Sequence, residues 1–274
     1  MSLHPTGALP PVTPKRLVKR YPPFMQRSEL VRWLDELLNV HAIPDASLNG
    51  LQVEGADEVR HVAVAVDASQ TAIEQAASVG ADFLIVHHGL FWGGMEPITK
   101  MTGARVRLLI ENNISLYAAH LPLDAHPEVG NNVGLAELLS LTDIQPFAES
   151  GGHLIGARGE FPNPMSLRDL ADQIEEVLGE SVLVHAGGPM EVQRIGIVTG
   201  SGSSFLHQAA DLGLDALLSG EPKHDNFHVP FERGISALYA GHYMTETVGV
   251  KRLAERLEVD LGLSTEFLLL PTGL

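Results

Sequence analysis

Residues 61–88 read HVAVAVDASQTAIEQAASVGADFLIVHH, and this stretch indicates the fold class. Residues 62–66 and 83–86 are short apolar runs of the kind that form buried strands. Between them, the Asp67-Ala68-Ser69 segment fits a turn and helix cap, and residues 71–79 have the pattern of a helix. A strand, a helix and a strand at this spacing form a βαβ unit, so we expect a parallel sheet.

The flanking segments extend the same pattern. Residues 28–38 place leucines at helical spacing, which predicts an amphipathic helix that Ser28 caps. Residues 105–111 predict a further helix, and residues 114–119 predict a strand.

The chain contains an internal repeat. Three pairs of segments align: residues 61–66 with 194–199, 75–82 with 208–215, and 117–124 with 239–246. The first two pairs share one separation along the chain, the first repeat offset. The third pair has a smaller separation, the second repeat offset, which a shorter loop explains. Similar βαβ units can align by chance, but two related α/β halves explain the shared offset better.

The repeat predicts an α/β protein of two similar domains with parallel-rich sheets. The expected boundaries are a flexible N-terminal extension over residues 1–27, a first domain over residues 28–124 plus 246–274, and a second domain over residues 125–245. The first 28 residues contain no acid but six prolines, a composition that favours an extension over a helical transit peptide.

The composition excludes several function classes. The chain has 274 residues, 45% hydrophobic and 19% charged, which is typical of a folded protein with a core. Its net charge of −16 argues against binding to nucleic acid or anionic membranes. The absence of cysteine excludes disulfides, thiolate metal sites and cysteine nucleophiles. No apolar run approaches the roughly 18–20 residues of a membrane span, so we expect a cytoplasmic protein.

Two adjacent histidines follow the second strand of the βαβ unit. His87 and His88 open the segment HHGLFWGG, residues 87–94. Neighbouring side chains within a strand point to opposite faces, but just beyond the strand end both can face one crevice. Parallel sheets bind ligands in the crevice at this edge. The alternative is that one histidine is packed and the other solvated.

A histidine and an acid recur four residues apart in the aligned segments. His120 precedes Asp124, and His242 precedes Glu246. On a helical turn this spacing places both side chains on one face. Imidazole and carboxylate together suit zinc, manganese, iron, cobalt or nickel. Each pair alone could be an ordinary surface pair, but the repetition in both halves predicts metal ligands.

In the second half, residues 219–225 occupy the place of the histidine pair. A glycine and a glutamate stand there where the first half has two histidines, so we do not expect a metal site that uses both halves symmetrically. Lys223 and His224 either line the pocket as acid, base or anion-binding groups or belong to a solvated loop.

Residues 199–204, TGSGSS, lie between a strand and a helix. Their backbone N–H groups could bind an anion, but Phe205 stands where the dinucleotide-binding fingerprint has its third glycine. A tight turn is therefore the first interpretation and a phosphate cradle the second.

In combination, these motifs resemble a known family. His87-His88-Gly89, His120-x-x-x-Asp124 with Asn131-Asn132, Gly200-Ser201-Gly202, Ser219-Gly220-Glu221 and Gly241-His242-x-x-x-Glu246 follow the order found in GTP cyclohydrolase I type 2 homologues, the Nif-three-like proteins. The resemblance covers about residues 28–274.

The resemblance implies two similar α/β domains, a dinuclear metal site in the cleft between them, and a homohexameric ring. The family's ligands match His87, His88, Asp124, His242 and Glu246 of this chain. His120 would stand beside the two divalent ions without being a clear ligand. Longer family members carry an extra domain in mid-chain, for which this chain has no room.

Three imidazoles and two carboxylates could hold two divalent ions that activate water for hydrolysis of a phosphoester, an amide or a purine ring. We therefore expect a metal-dependent hydrolase of a small, nucleotide-like substrate. His120, His224 and Lys223 are the candidates for proton transfer or substrate anchoring. Phe91 and Trp92 could form an aromatic wall over a base, unless Trp92 packs against another subunit.

Two other functions compete with hydrolysis. The first is a non-catalytic, metal-binding scaffold or regulatory protein whose ring captures a partner. The second is a ring that threads a DNA strand, which the net charge of −16 disfavours.

Overall fold

The computed structural model describes residues 24–94 and 96–274, so residues 1–23 of the expected extension lie outside the described residues. The strands are β1 (Met25–Gln26), β2 (Gly50–Val53), β3 (Glu58–Val59), β4 (His61–Asp67), β5 (Phe83–His88), β6 (Ser115–Ala118), β7 (Thr142–Ser150), β8 (His153–Ser166), β9 (Leu183–His185), β10 (Glu191–Val198), β11 (Ala216–Ser219), β12 (Ser236–Tyr239) and β13 (Ser264–Phe267). The helices are α1 (Arg27–Leu38), α2 (Gln70–Ser78), α3 (Lys100–Glu111), α4 (Leu121–Asp124), α5 (Asn131–Leu138), α6 (Leu167–Leu178), α7 (Leu206–Asp211), α8 (Val229–Arg233) and α9 (His242–Leu261). Short 3-10 turns follow β10 and β11, at Gly202–Phe205 and His224–Asn226.

Each half of the chain builds its own large sheet. The first sheet has the strand order β13-β4-β5-β6-β2, in which only β2 is antiparallel to its neighbour. The second has the order β7-β8-β10-β11-β12-β9, with a parallel centre of β10, β11 and β12. The α/β fold of two similar halves is thus confirmed, whereas the exact domain boundaries stay predictions.

The ladders of the central strands agree with the first repeat offset. Val62 pairs with Phe83 between β4 and β5, and Ile195 pairs with Ala216 between β10 and β11. Both members of the second pair follow their counterparts by that same offset. Because the hydrogen-bonded pairs of the two halves are separated by this same offset, the two βαβ units correspond residue by residue.

The second repeat offset, which aligned residues 117–124 with 239–246, was wrong by one residue. Phe83 pairs with Ser115, and its counterpart Ala216 pairs with Ser236, so Ser115 corresponds to Ser236. Tyr117 and Tyr239, which the sequence alignment matched, therefore point to opposite faces. Tyr117 packs in the same cluster as Phe83, whereas Tyr239 lies in a different cluster from Ala216. A one-residue slip always exchanges the faces of a strand, and the likeness of two tyrosines concealed it.

The helix starts show which capping expectations hold. Ser69 caps α2 as expected, since its side chain accepts a hydrogen bond from Ala72 N at 3.1 Å. Ser28, in contrast, does not cap α1: the N-cap is Gln26, without a side-chain hydrogen bond. Arg27 holds this helix start instead, because its backbone N–H donates to Asp57 O and its guanidinium lies 3.0 Å from the Asp57 carboxylate.

The layers place the carboxyl ends of the parallel strands at one cleft. Side chains of α2 and α3 pack on one face of the first sheet, and those of α1 and α9 pack on the other. The helix α9 begins directly after β12 of the second sheet and then packs along β4 and β13 of the first.

Among the described residues, no helix combines the length and apolar character needed to span a membrane.

Candidate metal centre

The cleft between the sheets collects the predicted ligands. His87 and His88 end β5, Asp124 ends α4, and His242 and Glu246 lie on the first turns of α9. The Glu246 carboxylate is central: Oε1 lies 3.2 Å from His242 Nε2 and 3.6 Å from His87 Nε2, and Oε2 lies 3.3 Å from His88 Nε2. Asp124 Oδ2 lies 3.6 Å from His87 Nε2. Folding thus brings together all five side chains.

The two adjacent histidines belong to β5 itself, contrary to the expectation that they follow the strand. The strand runs through His88, which pairs with Asp67 in the ladder with β4. Even so, the two rings lie side by side, with centroids 4.7 Å apart. His87 is fully buried and His88 is partly buried. The alternative of one packed and one solvated histidine therefore does not hold.

Four imidazoles in the cleft share one arrangement, in which Nδ1 faces an oxygen acceptor. The partners are Ala119 O for His87 at 2.9 Å, Asp67 Oδ1 for His88 at 2.9 Å, Asp45 Oδ1 for His120 at 2.9 Å, and Glu221 Oε2 for His242 at 3.4 Å. Histidines that bind metals typically donate the other ring N–H to a carboxylate or carbonyl. This arrangement leaves each Nε2 available to a cation.

Within the described residues, two groups of three ligand atoms lie close enough for one ion. One consists of His87, His88 and His120, and the other of His88, His242 and Glu246, each with its ligand atoms within 4.8 Å of one another. His120 therefore lies close enough to His87 and His88 to share an ion with them, and whether it is a ligand stays open.

Two buried atoms of the cluster have no hydrogen-bond partner, namely His87 Nε2 and Glu246 Oε2. The 3.3 Å separation between Glu246 Oε2 and His88 Nε2 is short enough for an ion pair, but its geometry is not that of a hydrogen bond. An unsatisfied buried polar atom is costly. A divalent cation between these side chains would satisfy both atoms, so the donor set fits a metal.

The electrostatics of the cluster follow from its carboxylates. Burial lowers the pKa of His87, but the charges of Asp124 and Glu246 outweigh it and raise that pKa to about 9. Burial likewise opposes the effect of Glu246 and Glu221 on His242, whose pKa also rises to about 9. Burial alone would raise the pKa of Glu246, yet the charge of His87 and the hydrogen bond from His242 hold it well below its usual range. The protons on His87 and His242 thus balance the negative charge of the buried Glu246 carboxylate, and a divalent metal ion could balance the same charge.

The Asn131-Asn132 motif orients Asp124. Asn131 Nδ2 donates to Asp124 Oδ1 at 2.8 Å, and Thr199 Oγ1 donates to the same oxygen at 3.2 Å. Asn132 Nδ2 donates to Ile155 O at 2.8 Å. Because Oδ1 is occupied by these donors, Oδ2 is the oxygen that faces His87.

The glycine-rich segment after β10 is a tight turn that packs against the cluster. Gly200 has φ of +59°, and a Cβ at this position would overlap Glu246 Oε1. Its N–H donates to Thr245 Oγ1, and its carbonyl accepts from Gly220 N. These contacts support the turn as the first interpretation, since the Gly200 N–H is already engaged.

Sequence reasoning missed two carboxylates behind the histidines. The sequence pattern places Asp67 in a turn, but this residue ends β4 and pairs with His88 at the end of β5. The rule that polar residues at strand ends face the crevice, which identified the two histidines, also applies to Asp67. Asp45 lies in a loop without periodicity and gives no local signal. Burial would raise its pKa, but hydrogen bonding and the charge of His120 hold it well below the usual range.

The remaining predicted residues lie around the cleft or away from it. Trp92 contacts His88 and His120, with ring centroids at 5.7 and 5.0 Å. Lys223 and His224 are exposed at the turn after β11, and no hydrogen bond or ion pair among the described residues joins their side chains to the cluster. Their catalytic roles stay predictions.

Comparison with known proteins identifies relatives over nearly the whole described chain. The model of the Duf34/NIF3 (NGG1p interacting factor 3) family matches residues 25–271. A Deinococcus radiodurans protein named GTP cyclohydrolase 1 type 2 homolog is 52% identical over 248 residues, 90% of this chain and 94% of that protein. A Pyrococcus horikoshii protein of the same name is 47% identical over 251 residues, 91% of this chain and 100% of its own. The crystal structure of a Thermus thermophilus protein, 47% identical, superimposes with a TM-score of 0.85 over 91% of this chain and 100% of its own.

Proposed function

This chain belongs to the Duf34/NIF3 family, and on that premise we propose that it is a divalent-metal-dependent hydrolase of a small, nucleotide-like molecule. One observation carries the proposal. Three imidazoles, those of His87, His88 and His242, surround the buried carboxylate of Glu246, and His87 Nε2 and Glu246 Oε2 lack hydrogen-bond partners.

We infer a centre of two ions. His88 has a single free nitrogen, because its Nδ1 is held by Asp67, so it can serve only one ion. His88 and His242 would hold that ion, and His87 and Asp124 the other. Glu246 lies beside both pairs of ligands, since its Oε1 is 3.6 Å from His87 Nε2 and its Oε2 is 3.3 Å from His88 Nε2. Zinc, manganese, iron, cobalt and nickel all fit this nitrogen and oxygen donor set.

Bound divalent ions would supply Lewis-acid activation of water for hydrolysis. His120 is placed to move a proton. Its Nδ1 lies 2.9 Å from Asp45 Oδ1, which leaves Nε2 to exchange a proton, and its side chain keeps 21% exposure. Trp92 beside it offers a ring on which a base can stack.

The substrate class rests on the relatives. Two of them are named GTP cyclohydrolase 1 type 2 homolog, which makes GTP the first nucleotide to test. The predicted hexameric ring is likewise a proposal for this chain. Exposed Phe227 and Phe231, which contact His185 on the edge strand β9, support an interface with another copy. If the ring proves inert, a metal-binding scaffold is the alternative function.

The decisive experiment compares metal content and hydrolysis in the wild type, Glu246→Gln and Glu255→Gln. Glu255 is an exposed acid on the same helix and serves as the control. We expect Glu246→Gln to weaken metal binding by more than the roughly 10–100-fold that loss of an outer-shell partner costs, and to abolish nucleotide hydrolysis. Inductively coupled plasma mass spectrometry and product chromatography measure the two effects.

Two results would contradict the proposal. Unchanged metal content in Glu246→Gln would refute its assignment as a ligand. A metal-loaded wild type that hydrolyses no nucleotide, phosphoester or amide would refute hydrolysis and favour the scaffold.

A further inference from the structure

A cavity of about 530 Å³ opens beside the histidine cluster. Asp67, His88, Trp92, Arg105 and Leu270 are among its lining residues. This volume lies within the usual range of small-molecule sites, roughly 300–1,000 Å³. The cavity therefore has room for a substrate whose reacting end reaches the cluster through His88.

The position of the cavity in the fold is that of a ligand site. From β4 the chain continues through α2 to β5 on one side, whereas β13 pairs with β4 on the other side. The packing helices change face at the same place, with α2 on one face and α9 on the other. Such a switch point leaves a crevice at the carboxyl ends of the strands, where open α/β sheets bind ligands.

Arg105 is the unusual member of the lining. Five arginines in the described part of the chain are partly buried, and the other four, Arg27, Arg158, Arg252 and Arg256, have hydrogen bonds through their guanidinium groups. Arg105 has none within the described residues, and its Nε is buried without a partner. In a chain with 34 acids and 18 bases, a partly buried arginine without a carboxylate indicates an anion that is supplied by a ligand.

The charges around the cavity favour that interpretation. Among the described residues that line it, Asp67 is the sole acid, and its Oδ1 is held 2.9 Å from His88 Nδ1. Arg105 is the sole lining residue with a permanent positive charge. The overall charge of −16 repels anions from the surface, so an anionic ligand needs such a local cation.

We propose that this cavity binds the phosphate group of a phosphorylated small molecule, with Arg105 as its anchor. The planar guanidinium suits the bidentate geometry of a phosphate. Trp92, in the same lining, offers its ring to the base or ring of that molecule. The inference rests on the proposed function only for the placement of the reacting end at the histidines, because binding of the phosphate itself needs no metal.

The test measures binding of guanosine, guanosine monophosphate and inorganic phosphate to protein treated with a chelator. Phosphorus NMR and calorimetry detect the binding in wild type, Arg105→Gln, Arg105→Lys and Arg107→Gln. Arg107 is the matched control, since it is exposed on the same helix and does not line the cavity. Glutamine preserves helix propensity, and thermal unfolding checks that each variant is folded.

We expect the wild type and Arg107→Gln to bind the monophosphate about ten-fold or more tightly than guanosine, the gain typical of a charge-assisted hydrogen bond. Arg105→Gln should lose this preference, and Arg105→Lys should keep part of it because it retains charge but not the planar fork. Equal binding of guanosine and its monophosphate by the wild type would overturn the inference. Retention of the preference in Arg105→Gln would also overturn it.

Hydrolysis assays separate this inference from the proposed function. Phosphate binding that depends on Arg105, in a metal-loaded protein without hydrolytic activity, upholds the phosphate site and refutes the hydrolase. An active hydrolase whose KM for its phosphorylated substrate is unchanged in Arg105→Gln upholds the proposed function and refutes the phosphate site.

Discussion

The carboxyl ends of the two parallel sheets contribute different things to one cleft. At the first repeat offset, His87 and His88 of the first half correspond to Gly220 and Glu221 of the second. The first pair supplies two imidazoles. Gly220 supplies room instead, because a Cβ there would lie 2.7 Å from Gly200 O and from His242 Cα.

The difference shows how a repeated unit can build an unrepeated site. The first half positions ligand atoms, whereas the second half brings its backbone close enough for α9 to reach across with His242 and Glu246. Glu221, placed where the first half has His88, lies 3.4 Å from His242 Nδ1 and so supports a ligand. Equivalent positions thus differ in role at the candidate metal site, where His88 is a proposed ligand and Glu221 contacts one, and this difference can be tested.

Substitution at the two equivalent positions should give the largest contrast. His88→Ala removes a predicted ligand, so we expect metal affinity to fall by more than about 100-fold, whereas Glu221→Ala removes only a partner of His242 and should cost roughly 10–100-fold at most. Competition with a metal-sensitive dye measures both affinities. Equal losses at the two positions would show that Glu221 is itself a ligand.

Filling the space in the second half should have the next largest effect. Gly200→Ala places a methyl group against Glu246 Oε1, so we expect weaker metal binding in addition to lower stability. Gly234→Ala is the control, because Gly234 has a similar φ of +66° but nothing within 4 Å of its Cβ position. That variant should lose about 1 kcal/mol of stability and keep its metal. Metal binding unchanged in Gly200→Ala would show that the turn does not set the position of Glu246.

The smallest effect is the pH dependence of the metal-free protein. The pKa values of His87 and His242 rise to about 9, above the value of 6.5 for an ordinary imidazole. The stability that they contribute is therefore fully present below pH 6.5 and is lost as the pH rises through about 9. The pKa of Glu246 is lowered from 4.5, so its contribution is present above pH 4.5 and is lost at lower pH. We expect the Tm of chelator-treated protein to fall between pH 6.5 and 9.

The same range should show the opposite trend for metal. Because metal ions compete with protons for Nε2, the gain in Tm on adding metal should increase from pH 6.5 to 9. In chelator-treated Glu246→Gln, the fall in Tm should be smaller, since a carboxylate that raises the pKa of both histidines has lost its charge. A Tm profile identical to that of the wild type would indicate that other groups determine the slope.

Much of the fold could be predicted because it is encoded locally. Apolar runs at residues 62–66 and 83–86 lie within the observed β4 and β5, and Ser69 caps α2 as its side chain and position indicate. The errors lie where local patterns are ambiguous. The helix α1 starts at Arg27 because tertiary contacts of that side chain fix it, and the alignment of Tyr117 with Tyr239 ignored which face each one occupies.

The candidate site also has features that the sequence predicted and features that it could not predict. The His-x-x-x-Glu spacing of His242 and Glu246 indicated a shared helical face, and their side chains meet at 3.2 Å. His120 and Asp124 have the same spacing, but the side chain of His120 turns to Asp45. Spacing could not show this, because Asp45 is 75 residues away in the sequence.

The sequence by itself determined the periodicity of the strands and helices, the internal repeat and the supply of imidazole and carboxylate groups, because these depend on residue type and spacing along the chain. Only the tertiary structure decided which nitrogen of each histidine is free, which glycines make room for Glu246, and that Arg105 stands in a cavity without a partner among the described residues. These properties depend on contacts between segments far apart in the sequence, and they arise only when the two sheets meet across the cleft.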